Sequence, residues 1–170
     1  MQRTQRTETH DMDTQDSTRG PEHFERRNGD YLISTDPRRI DAHAIHAYLA
    51  RSYWAESIPM EILEKAIAGS LGFALCKDDR QVGFARVVTD RATFAYLCDV
   101  YVLEEHRGRG LAKWLIQTVR AHPDLQRLRR FALITRDAHK LYEGCGFRAL
   151  QNPGGYMEIV QRDVYRPSRG

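Results

Sequence analysis

From Tyr31 onward, apolar residues recur at strand spacing and helix spacing by turns. YLIST, starting at Tyr31, reads as a first strand. Over residues 41–52, Ile45, Tyr48 and Leu49 fall on one helical face. In SIPMEILEKAIAGS, Ser57 stands as a cap, Pro59 comes early, and Ile62, Leu63, Ala66 and Ile67 form the next apolar stripe. LGFALCK and QVGFARVVT alternate as strands, and the DDR between them is a hairpin signal. ATFAYLCDVYV is longer and apolar on both faces, which predicts a central strand. After HRGRG, residues Leu111, Ala112, Leu115, Ile116 and Val119 line one side of a helix that stops before Pro123. FALIT is a strand. Asp137 then caps a short helix, AHKLYE, that ends at Gly144. GFRAL and YMEIV close the chain as strands. Hairpin strands first and strand–helix alternation later make the fold class α+β, a mixed α/β arrangement.

Residues 1–28 break this pattern. They are rich in Gln, Thr, Asp, Glu and Arg, with Phe24 their only aromatic residue and no apolar period. Such a stretch cannot bury enough surface to offset chain entropy, so it reads as a disordered or loosely docked tail before one domain at residues 29–165. The formal net charge of +3 is too small to point to nucleic acid, although it suits an anionic small ligand. Cys76, Cys98 and Cys145 form no CxxC and no ligand spacing with the histidines, so no metal site is expected. Buried reduced thiols are the simpler reading, and their odd number favours a reducing compartment. No apolar run is long enough to span a membrane, and the N-terminus carries no signal-peptide core. The expectation is a cytoplasmic protein with no membrane or nucleic-acid partner.

The loop HRGRG, between a strand and a helix, carries the chemistry. A helix N-terminus offers free N–H groups and a favourable dipole to an anion. Gly108 and Gly110 allow positive φ and close approach of the backbone, while Arg107 and Arg109 add charge and forked donors. The loop is not a Walker sequence, because the GK[ST] ending is absent. It is not a dinucleotide fingerprint either, because the GxGxxG spacing fails. On the loop alone, a phosphate seat and a tight turn with solvated arginines stand as equal alternatives.

The flanks extend the signal. RxxGxA, from Arg107 through Gly110 to Ala112, resembles the signature of the GNAT superfamily of acyl-CoA-dependent N-acyltransferases. DVYVLEEHRGRGLAKWLI is similar to that family's fourth strand, pyrophosphate loop and third helix, and TRDAHKLYEGCGF to its second conserved block. The resemblance implies a central, mostly antiparallel twisted sheet of about six to seven strands with about four helices, splayed between strands 4 and 5. It implies acetyl-CoA as the cofactor. Its pyrophosphate would lie on the backbone of Arg107, Gly108, Arg109, Gly110, Leu111 and Ala112, and its pantetheine arm along Val100, Tyr101 and Val102. Asp137 is a further cofactor-contact candidate by the resemblance, since the family often has an asparagine near here, from which it departs.

Acyl transfer needs a neutral amine, a stabilised oxyanion and a proton for the thiolate. Tyr142 matches the family's general-acid tyrosine; the alternative is a packed tyrosine with a hydrated hydroxyl. Asp99, inside an apolar strand, is the candidate base or amine-binding group; the alternative is a structural Asp satisfied by Arg86. Tyr53, Trp54, Phe84 and Arg86 are candidate acceptor-binding residues, against the alternative of core packing for the aromatics. The function expected is an N-acetyltransferase acting on a small-molecule primary amine through a ternary complex. A protein or peptide acetyltransferase and a non-catalytic acyl-CoA-binding module are the alternatives. The resemblance also implies a homodimer.

Overall fold

The computed structural model describes residues 23–161 and 163–165. Its strands are β1 (Glu25–Asn28), β2 (Tyr31–Ser34), β3 (Leu71–Lys77), β4 (Arg80–Thr89), β5 (Phe94–Val102) and β6 (Arg130–Leu133). Its α-helices are α1 (Ala42–Leu49), α2 (Met60–Ala68), α3 (Leu111–Arg120) and α4 (His139–Glu143). They build one six-stranded sheet in the order β1-β2-β3-β4-β5-β6, antiparallel throughout except for the parallel β5–β6 pair. The mixed α+β class and the mostly antiparallel sheet expected from the sequence are what the chain adopts.

Local chemistry explains the joints. Lys77 pairs with Arg80 across a two-residue turn in which Asp78 and Asp79 both take positive φ. That left-handed pair gives the hairpin the twist its strands need, and Asp tolerates it better than most residues. Asp41 caps α1 by accepting a hydrogen bond from the Ala44 N–H at 2.9 Å. Crossing from β5 to its parallel neighbour β6 requires a connection over the sheet face, and α3 supplies it.

The sheet is covered on both faces. On one face Leu111, Leu115, Ile116 and Val119 of α3 pack on Phe73, Leu75, Ala85, Val87 and Leu97. On the other, Ile45, Leu49 and Leu63 of α1 and α2 pack on Phe84 and Tyr101. The spacing of these residues along their helices is the reason each helix presents one continuous apolar stripe.

Four expectations change. Glu25–Asn28 is not tail but β1, paired with β2 from Glu25↔Ser34 to Asn28↔Tyr31; its four residues are all exposed, so the burial pattern gives no sign of it. Residues 1–22 lie outside the described residues. Ser57 does not cap α2. Pro59 occupies the N-cap and Ser57 sits two residues upstream at φ 61. Asp137 does not cap α4 either: the N-cap is Ala138, whose N–H donates to Thr135 Oγ1 at 3.1 Å. GFRAL and YMEIV are not strands among the described residues. Their alternating pattern fits a pleated surface, but a strand exists only where a neighbour accepts its hydrogen bonds.

Gly83 marks the tightest backbone approach at the centre of the sheet, since a Cβ there would stand 2.7 Å from the Tyr101 carbonyl oxygen and 3.0 Å from Leu75. Gly83→Ala forces β4 and β5 apart at the segment that leads into the cleft. A loss of about 1–3 kcal/mol in urea-monitored unfolding is expected, as for other overpacked sites.

Candidate active site

β5 and β6 stay paired only from Phe94↔Arg130 to Leu97↔Leu133. Beyond that point β5 continues to Val102 without β6 beside it, so the two strands part into a V. This is the splay that the resemblance implies between its fourth and fifth strands.

The cause of the parting lies in β5. Phe84 pairs with Tyr101 and Arg86 with Cys98, so Asp99 and Val100 together oppose Ala85. This is a β-bulge, which bends the strand and increases its twist. Asp99 takes the strained residue of the bulge at φ 54. Its carboxylate Oδ2 accepts from Arg86 Nε at 2.6 Å, with the two side chains 9% and 15% exposed. Arg86 also reaches Ser70 Oγ at 3.5 Å. A buried charge is costly unless paired, and here each ion is the other's partner.

A cleft of about 670 Å³ fills the V. Its floor is β5 from Tyr96 to Val102, one wall is Ile134 to Ala138 with Leu141 and Tyr142, and the other is Tyr48, Tyr53 and Trp54. Burial pushes the Tyr142 phenol up to about 12, so it remains a proton donor through the neutral range. Its hydroxyl has no hydrogen-bond partner among the described residues, which leaves it available to an incoming atom. Cys98 is pushed up to about 12, first by burial and then by the Asp99 carboxylate. It is therefore a thiol rather than a nucleophilic thiolate.

The mouth of the cleft leads to the glycine loop. Gly108 and Gly110 have φ 74 and φ 75, and nothing lies within 4 Å of where a Cβ would be on either. Gly110 is the N-cap of α3, and the first helical bond runs from Trp114 N–H to the Gly110 carbonyl. The N–H groups from Gly108 to Lys113 have no acceptor among the described residues. An open cradle of unpaired donors at a helix N-terminus fits a pyrophosphate.

The two loop arginines differ. Arg107 folds back, donating from Nε to the Val102 carbonyl at 3.1 Å and from a terminal nitrogen to Tyr48 Oη at 3.0 Å. Arg109 is exposed and has no partner among the described residues. Arg107 thus ties the loop to the end of β5 and to α1, and Arg109 is the free cation.

Of the acceptor residues expected from sequence, Tyr53 and Trp54 line the cleft. Phe84 does not. It is 0% exposed in the core beneath α1 and α2, because it faces the same way as Arg86 but lies under the helices. Arg86 does not line the cleft either and acts behind Asp99. Asp137 lies on the lip, with Oδ2 3.5 Å from an Arg136 terminal nitrogen. Tyr96, which strand period places on the face of Cys98, lines the cleft too, and among the lining residues given no role from sequence are Tyr48, read as a helix-face residue, and Arg136. The Arg136 guanidinium stacks 3.6 Å over the Tyr53 ring and its backbone N–H donates to Tyr53 Oη at 3.3 Å, closing one side of the V. No sequence signal links those two, which stand far apart in the chain.

A larger depression of about 1080 Å³ lies near Asp36 and His122. Its charges neutralise one another through Asp36–Arg38, Glu25–Arg39 and Arg91–Asp124 pairs. It has no donor cradle comparable with the glycine loop beside the V.

Comparison with known proteins agrees with this geometry. Residues 69–149, from the end of α2 to the segment after α4, match the family model described as an acetyltransferase (GNAT) domain. A curated protein of Gibberella zeae, provisionally named an acetyltransferase, is 36% identical over 135 residues, covering 67% of this chain and 76% of its own length. A solved GNAT-family structure from Xanthomonas campestris pv. campestris, also provisionally an acetyltransferase, is 48% identical, with TM-score 0.79, over 81% of this chain and 97% of that one. The chain belongs to the GNAT superfamily. As a GNAT protein it is an acyl-CoA-dependent acetyltransferase, of a family whose members use acetyl-CoA. A fold neighbour from Clostridium acetobutylicum, 12% identical with TM-score 0.55 over 76% of this chain and 94% of that one, was solved with acetyl-CoA.

Removing either member of the Arg86–Asp99 pair from this GNAT fold strands a buried charge. Asp99→Ala or Arg86→Met alone is expected to cost about 3–5 kcal/mol in denaturant unfolding. The double replacement Arg86→Met with Asp99→Leu recovers all but about 1–2 kcal/mol, the cost of holding leucine in the left-handed region.

Proposed function

We propose that this GNAT enzyme moves an acetyl group from acetyl-CoA to the primary amine of a small molecule, by direct attack within a ternary complex. The observation that carries this reading is the continuity of the V with the open donor cradle at Gly108–Lys113. The backbone from Arg107 through Ala112 would hold the pyrophosphate, and the free edge of β5 at Val100, Tyr101 and Val102 would hold the pantetheine arm. Bound there, acetyl-CoA supplies the activated acyl group as a thioester.

The chain's own residues do the rest. Tyr142 holds a proton at its phenol, ready for the departing sulfur. Asp99 keeps the bulge in place through Arg86 and so fixes where β5 turns its backbone toward the cleft, a positioning role instead of that of a base. Asp137 orients Arg136 on the lip. Tyr53 and Trp54 wall the acceptor side. Direct transfer is favoured because Cys98, the thiol in the cleft, is held protonated and is a poor acyl carrier. A small acceptor is favoured over a protein chain because the Tyr53–Arg136 stack closes a side that an extended peptide would need open. A reducing cytoplasm suits the three free cysteines, and no α-helix among the described residues is long and apolar enough to cross a membrane.

A second copy of the chain is the proposed partner. Met157, Ile159 and Val160 are 92%, 98% and 51% exposed in a segment without strand partners, and β6 has one edge unpaired among the described residues. An unpaired edge and an unpaired apolar segment are complementary, and two copies can satisfy both by exchange.

Calorimetry with acetyl-CoA is expected to give micromolar-class affinity, about −8 kcal/mol. Gly110→Trp, which fills the cradle, removes it. Tyr142→Phe keeps the binding and lowers kcat by about 10²–10⁴-fold. Because the Tyr142 phenol is raised to about 12, its acid form is lost only as pH rises through that value. No tyrosine-linked fall in kcat is therefore expected below pH 10. No binding by the unmodified protein would overturn the assignment. For the dimer, sedimentation is expected to show two copies that Ile159→Lys separates into folded monomers; a monomeric unmodified protein would sink it.

A further inference from the structure

Resting on the acetyl-transfer reading, the geometry points to the class of acceptor: a weakly basic amine on a planar apolar body, which enters the cleft already neutral. The argument is one of proton balance. A neutral primary amine forms the new N–C bond with its lone pair as the C–S bond breaks. The nitrogen then has one proton to lose, and the sulfur needs one. Tyr142 can give a proton to sulfur and be restored by the one from nitrogen, so nothing else is required. An ammonium carries one proton more, and that proton needs a base.

The titratable and charged groups facing the cleft come from every element around it. β5 contributes Tyr96, Cys98, Asp99 and Tyr101, and α4 contributes Tyr142. α1 and its following loop contribute Tyr48 and Tyr53, the glycine loop Arg107, and the segment after β6 Arg136 and Asp137. Both carboxylates are already paired, Asp99 with Arg86 at 2.6 Å and Asp137 with Arg136 at 3.5 Å. Burial raises Tyr96 above its ordinary value, and it pushes Tyr101, like Tyr142 and Cys98, up to about 12. No histidine among the described residues lines the cleft. Glu104 and Glu105 lie in the neighbouring groove beyond Tyr53 and Trp54, and Glu104 is 3.6 Å from Arg107. The site therefore offers an incoming ammonium no histidine and no carboxylate without an arginine beside it.

The walls agree with the proton count. Tyr48 stacks on Tyr101 at 4.0 Å and 11°, and Trp54 stands edge-on to Tyr53 at 4.9 Å. Arg136 already occupies one face of Tyr53, and the remaining aromatic surface gives a flat ring something to stack on.

The test compares two acceptor series of one shape, substituted anilines and the corresponding benzylamines, together with an aliphatic diamine. Calorimetry follows binding to the protein loaded with coenzyme A, and thiol release follows turnover, from about pH 6 to about pH 9. Anilines, neutral throughout, are expected to bind and react with little pH dependence. Benzylamines should gain about tenfold in affinity and in kcat/KM per pH unit until their own pKa is reached. The diamine should bind weakly at every pH. Tighter benzylamine or diamine binding at low pH would overturn the inference, as would one inflection shared by all acceptors. Acetyl-CoA binding measured on the same preparation separates the two levels. Its loss counts against the acetyl-transfer reading itself, whereas normal acetyl-CoA binding with preferential uptake of cations counts against the acceptor class alone.

Discussion

The bulge at Asp99 is the constraint on which this structure turns. One extra residue in β5 takes a left-handed backbone that a non-glycine residue avoids unless its surroundings insist. Arg86 insists, by gripping the carboxylate from the neighbouring strand. With the bend fixed there, β5 leaves β6 after Leu97, and the unpaired edge that a sheet would normally cover becomes the floor of a cleft. An ion pair of this kind is weak evidence for stability, since well-packed apolar residues would serve as well. Its value is in specifying the one backbone shape that opens the V.

Everything at the mouth of the V is then placed by short connections. β5 ends at Val102, and the glycine loop follows within a few residues, so the donor cradle lies in line with the open strand edge. Arg107 fastens the two together through the Val102 carbonyl and reaches across to Tyr48 on α1. The glycine loop and the α1 side of the cleft thus share one arginine, while Arg109 stays exposed and has no partner among the described residues.

The candidate site was legible in the sequence where its causes are local. Positive φ at Gly108 and Gly110 demands glycine, and an anion seat at a helix start needs only the residues beside it. Asp99 was conspicuous because a carboxylate in an apolar strand must be paired, and Arg86 was within reach as its partner. What stayed hidden depends on depth and on distant contacts. Strand parity puts Phe84 and Arg86 on one face, yet parity does not say that α1 and α2 roof over the first and leave the second at the edge. The Arg136–Tyr53 stack joins residues that no period relates. YMEIV has the alternation of a strand, but alternation describes a surface and not the neighbour that would complete it. Glu25–Asn28 fails in the opposite sense: a polar edge strand pairs through its backbone and leaves no apolar trace.

The same ion pair that shapes the cleft also limits its chemistry. A carboxylate held by an arginine behind the strand serves the bulge first, because without it Arg86 would be buried lacking a counter-ion. Structure and catalysis compete for Asp99, and at 9% exposure with a 2.6 Å partner the structural demand is the larger. On the proposed reading acid chemistry falls to Tyr142, whose burial keeps it protonated. On that reading, a site with a proton to donate and each of its carboxylates beside an arginine selects its acceptors by their own basicity. The geometry of one bulge thereby reaches as far as the choice of substrate.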